Sequence, residues 1–157
     1  MPALPVTPES KLEAVLAAYV AANYQGAGEP LAGVTLCLGH TLTPQTAEHR
    51  VVFEAGQRGG PHARQGNYEV PLAIHIVTNA KEQPGDTTDR LTLHEQRVEA
   101  LAGIFGEDRI ATVAAALMVL DAALGVSAYW GSEHERDFSG PNFETTLRKT
   151  FAVHLPA

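Results

Sequence analysis

Apolar and polar positions alternate along the stretch Asn67 to Asn79, NYEVPLAIHIVTN. Tyr68, Val70, Leu72, Ile74 and Ile76 fall on one side of an extended chain, and Glu69, Pro71, Ala73, His75 and Val77 on the other. This predicts a long strand over about residues 66–78, whose apolar side must be covered by another layer. Helical periodicity supplies the cover. Leu12, Val15, Leu16, Tyr19 and Val20 follow the stripe of one helix face, the order Thr7-Pro8-Glu9 suits a helix start, and Gly26 and Gly28 end it, giving a helix at about 8–23. A second helix, at about 88–105, follows the N-capping chemistry of Asp86, Thr87 and Thr88 and places Leu93, Arg97, Val98, Leu101, Ile104 and Phe105 mainly on one side before Gly106. A third, at about 108–122, spaces Ile110, Val113, Ala114, Leu117, Leu120 and Asp121 helically, and its alanines favour helix and permit close packing.

Four further segments read as strands. Gly33 to Gly39 is a β-prone run holding Cys37 (strand at about 34–38), and Arg50 to Ala55 gives a strand at about 50–56. Val126 to Gly131 is β-prone and aromatic (about 125–131), followed by a polar stretch from Ser132 to Asp137, and Leu147 to Leu155 alternates to form a closing strand at about 145–155. Residues 40–49 show no period and read as a loop. Residues 56–66 contain Gly56, Gly59, Gly60, Pro61 and Gly66 with no large apolar side chain, which predicts a mobile hairpin loop, locally basic through Arg58 and Arg64. Helices and strands do not strictly alternate and no repeat or linker divides the chain. The expectation is one α+β domain over 1–157: a twisted, mainly antiparallel sheet with two to three helices packed on it and a flexible N-terminus over 1–7.

Composition narrows the function. A net charge of −7 over 157 residues argues against a protein that binds nucleic acid by neutralising phosphates. Charged residues make up only 18%, which hints at surface covered by partners. One cysteine excludes an internal disulfide and a Cys-rich zinc site, and suits the cytosol. Neither a signal sequence nor a membrane span is expected.

Candidate chemistry is sparse. Seven histidines invite a metal hypothesis, but no H-E-x-x-H occurs: His94-Glu95-Gln96 lacks the second histidine one turn on, and His134 lies in a polar stretch. The glycine-rich segment at 56–66 lacks the lysine of a P-loop and leads into a strand, G-x-S-x-G is absent, and Cys37 lies in an apolar run that disfavours a thiolate. The competing reading, a small metal-binding protein or enzyme, needs His94, His134, Glu135 and Asp137 to converge beside Trp130. No catalytic residue, metal or cofactor is expected. Tyr129 and Trp130, beside Glu133 to Asp137, could line a ligand pocket, anchor a protein interface or cap the core.

Several stretches together resemble the tail terminator proteins of long-tailed bacteriophages. They are the amphipathic helix Lys11 to Asn23, the glycine-tipped hairpin from Arg58 to Gly66, the N-Y-E-V-P-L-A-I-H-I-V strand, the helix containing His94-Glu95-Gln96-Arg97-Val98, the stretch Ser127 to Asp137, and the closing Leu147 to Leu155. Other head–tail joining proteins of similar size share much of this order. The resemblance implies a virion protein without an active site, a homo-oligomeric ring, six subunits being the expected number. The ring would end tail-tube polymerisation and contact the tube protein and the head connector or head-closure protein, with DNA passing its lumen unbound. Interface residues expected on this reading are Arg58, His62 and Arg64 in the loop, together with Trp130 and Arg136. The loop is expected to order against a neighbouring subunit or the tube, with guanidinium groups pairing to carboxylates. A monomeric adaptor is the remaining alternative.

Overall fold

The computed structural model describes residues 7–39, 49–59, 66–79 and 90–155. Helix α1 (Pro8–Tyr24) starts where the Thr7 hydroxyl oxygen accepts the Ser10 N–H at 3.1 Å, with proline in the first turn. Strands β1 (Thr35–Leu38), β2 (Arg50–Ala55) and β3 (Asn67–Asn79) follow, then helix α2 (Arg90–Ile104). A 3-10 turn (Glu107–Arg109) leads into helix α3 (Ile110–Leu120), and strands β4 (Gly125–Asp137) and β5 (Asn142–His154) close the order.

The five strands form one sheet in the order β1-β2-β3-β5-β4. The long strand predicted from its alternation is β3, and it sits at the centre. It pairs with β2 on one side and along its full length with β5 on the other, Asn67 opposite His154 and Asn79 opposite Asn142. All pairings are antiparallel except β1 with β2, which is parallel, so the α+β class holds and the sheet is mixed. A parallel pair cannot be closed by a two-residue hairpin; the loop expected over 40–49 lies, apart from His49, outside the described residues.

Even-numbered positions of β3 face the helices. Val70, Leu72, Ile74 and Ile76 pack with Leu12 and Leu16 of α1, Leu101 of α2, Val113 and Leu117 of α3, Tyr129 of β4 and Phe151 of β5 in one core. The Tyr129 hydroxyl donates to the Gly106 carbonyl at 2.6 Å, which ties β4 to the connection between α2 and α3. Burial pushes that phenol up to about 12.

Two boundaries differ from expectation. β4 does not stop at residue 131 but runs through the polar stretch to Asp137, with Glu133 opposite Arg148 and Glu135 opposite Thr146, and β5 begins at Asn142. Residues 132–137 are exposed throughout, so burial imposes no alternation on them, and pairing with β5 holds them extended. The register shifts between Trp130 and Glu133, beside Gly131, whose φ of +105° strains any other residue and whose built Cβ would stand a tight 3.0 Å from the Arg148 carbonyl.

Candidate functional site

The two broad surfaces of the subunit differ in kind. On the helix layer, α3 buries only Val113 and Leu117, although none of its eleven residues is ionisable. Met118 is 53% exposed, Val119 86% and Leu120 45%. Ala115 and Ala111 continue this outward face one and two turns back. A helix apolar on every side is normally buried on every side, and a contiguous exposed apolar patch marks an interaction surface. Asp121, the first charge after α3, is bound by the Lys11 ammonium at 2.9 Å, and this hydrogen bond holds its carboxyl below the ordinary carboxylate range.

On the opposite side, no described helix covers the sheet. Trp130, Thr150, Pro71 and Ala73 share this open face, because Trp130 pairs with Thr150, Thr150 with Pro71, and Ala73 with Arg148. They line a shallow groove of about 450 Å³ that reaches Glu54 on β2 and Glu133 on β4. The Trp130 indole stands 41% exposed in its wall. The rim is polar and mostly paired: Glu54 meets His75 Nε2 at 3.2 Å, and Arg148 donates to Glu135 at 3.0 Å.

The sequence-predicted interface residues do not form one cluster. Trp130 is on the groove. Arg136, opposite Thr145, faces the helix side, with its guanidinium 5.8 Å from the Phe138 ring centroid. Arg58 is engaged within its own chain: its Nε donates to Glu9 Oε1 at 2.9 Å, its backbone N–H reaches the same oxygen at 3.2 Å, and its guanidinium lies over the Tyr68 ring. Within the subunit α1 thus already presents a carboxylate to this guanidinium, where the sequence reading expects a neighbour's. Gly59 bridges to Glu69 and Gly56 donates to the Pro71 carbonyl, so the strand-side end of the predicted loop is tied to the sheet. His62 and Arg64, with the rest of 60–65, lie outside the described residues, as does the N-terminal segment 1–6.

Histidine chemistry is dispersed. His94 is fully buried, its Nδ1 hydrogen-bonded to Thr78 Oγ1 at 2.9 Å and its Nε2 to Thr145 Oγ1 at 2.8 Å, with the rings of Phe138 and Phe143 against it. Burial, reinforced by the like charges of Arg97 and Arg136, pushes its pKa down to about 4. Arg97 donates to Thr78 and to His49 Nδ1. His134 and Glu135 alternate on opposite sides of β4, and Asp137 accepts from Ser139, so His94, His134, Glu135 and Asp137 do not converge. Among the described residues, no three His, Cys, Asp or Glu side chains are grouped to hold a metal ion. No described helix is long and apolar enough to cross a membrane.

Sequence reasoning missed Met118 and Val119, and placed Leu120 on the buried stripe. The signal was present in the uncharged run from Ile110 to Leu120, where Met118-Val119-Leu120 spans more than one helix face and cannot all point inward. No family model matches the chain, and no curated protein matches it in sequence.

Proposed function

We propose that this chain is a structural subunit that self-assembles, as a phage tail terminator does, into a ring that ends the tail tube and joins it to the head. The observation that carries the assembly step is the outward face of α3, where Met118, Val119 and Leu120 stand in solvent on a helix with no charge. In an acidic chain that face is where two copies can approach without bringing like charges together. The more specific part, a hexameric ring at the head–tail junction of a virion, rests on the resemblance of the strand and helix order given above. On this reading the tail-tube protein and the head connector are the partners on the two sides of the ring, and the acidic balance suits a lumen that DNA crosses without being held.

Sedimentation of the purified chain alone and with tail tubes is the test. A ring-sized species that caps tubes and stops their growth supports the proposal. A chain that stays at about 17 kDa at high concentration and in the presence of tubes overturns it and leaves the monomeric adaptor.

A further inference from the structure

Taking self-assembly from the preceding reading, we infer that the outward face of α3 in one copy seats in the Trp130 groove on the open sheet face of the next. The two surfaces lie on opposite sides of the subunit, since α3 packs on the helix layer and Trp130 points away from it. A copy that gives its α3 to one neighbour therefore keeps its own groove for another. Such a contact is head-to-tail, and it closes into a ring when the rotation per subunit divides the circle.

Three features select α3 as the occupant. The groove rim carries charges of both signs, the carboxylates of Glu54 and Glu133 and the guanidinium of Arg148, with Glu54 paired to His75 and Arg148 to Glu135, which favours a ridge that brings no charge of its own. α2 presents Glu95 and Glu99 to solvent, and α1 presents the alanines Ala14, Ala18 and Ala21, which have little to insert. Among the described helices, α3 alone offers large exposed apolar side chains with no charge: Met118 and Val119 are its anchors, and Ala111 and Ala115 continue their face at helical spacing and let the backbone approach closely. Met118 can adapt to an irregular floor. The lengths agree as well: eleven residues of helix extend about 16 Å, and the three strand spacings from β2 to β4 extend about 14 Å. Pro71 and Ala73 on the floor and Trp130 in the wall supply the apolar and aromatic contacts expected of an interface centre.

The test uses two variants of the full chain, Val119→Glu to spoil the ridge and Ala73→Glu to spoil the groove. Circular dichroism melting confirms that each is folded, and Met118→Asp with Thr150→Lys forms a second pair should either fail to fold. At a concentration where the parent assembles, each variant alone sediments as a monomer. An equimolar mixture gives dimers and nothing larger, because one intact ridge and one intact groove remain between the two. Trp130 is the only tryptophan, so its emission shifts to the blue when the parent assembles and does not shift in Val119→Glu. A parent that assembles while the mixture stays monomeric, or variants that assemble like the parent, overturn this inference alone. A parent that never assembles overturns the self-assembly reading beneath it.

Discussion

His94 shows how one buried side chain couples stability to pH. In the unfolded chain an imidazole binds its proton near pH 6.5, whereas the folded site resists protonation until about pH 4. Between those values the unfolded state holds more protons, so stability is complete above about pH 6.5 and falls as the pH drops, by about 2 kcal/mol at pH 5. Urea unfolding at pH 7 and pH 5 measures this, and His94→Gln is expected to lose this part of the slope while being less stable at pH 7. An unchanged slope in the variant would move the pH dependence to other groups. Gly66 is the second residue whose identity is dictated by its surroundings. Its φ is +77° and a built Cβ would stand 2.6 Å from the Leu155 carbonyl oxygen, with the Leu155 N–H bonded to its own carbonyl. Gly66→Ala is expected to cost more than about 1 kcal/mol, read as a lower melting temperature. Neither role was legible in sequence. His94 sits among helix residues with no motif, and what makes it special is Thr78 and Thr145 arriving from two strands distant in the chain.

At the scale of elements, most of the architecture could be read from periodicity, because each core element repeats its apolar positions with its own geometry. α1 and β3 came within a residue or so of their predicted ends, since a proline cap and an unbroken alternation leave few other solutions. The outer half of β4 could not be read that way. It buries nothing, and its extended form is imposed by hairpin pairing with the start of β5, which leaves no apolar alternation in the segment itself. α3 failed in the opposite sense: its period was found, but the count of apolar residues exceeded what one face can bury. The two sides of that helix are expected to respond differently. Leu117→Ala removes a fully buried side chain and should destabilise the folded chain by about 2–5 kcal/mol. Val119→Gln, at 86% exposure, should change the stability of the dissociated chain by less than about 0.5 kcal/mol. Denaturant unfolding at dilutions that keep the chain monomeric checks both. A large loss for Val119→Gln would mean that this face is covered within the subunit.

For the whole molecule, charge and apolar exposure act against each other. Each copy carries a formal charge of −7, so copies repel through solution, while the uncharged α3 face offers contact without ion pairs. Salt distinguishes this arrangement from the one first expected, in which arginines of the 56–66 loop bind a neighbour's carboxylates. Raising the salt from about 0.01 M to about 1 M shortens the screening length from about 30 Å to about 3 Å. If apolar seating holds the copies together, screening removes the repulsion and leaves the attraction, so association should strengthen with salt. If guanidinium–carboxylate pairs at exposed positions hold them together, screening removes the attraction and association should weaken. The Arg58 geometry favours the first outcome, because its guanidinium is already bound to Glu9 in the same chain. Sedimentation velocity across a salt series at fixed protein concentration gives the sign directly. A weight-average sedimentation coefficient that rises with salt supports assembly through α3. One that falls would return the interface to charged residues and leave the exposed face of α3 without a role in self-assembly.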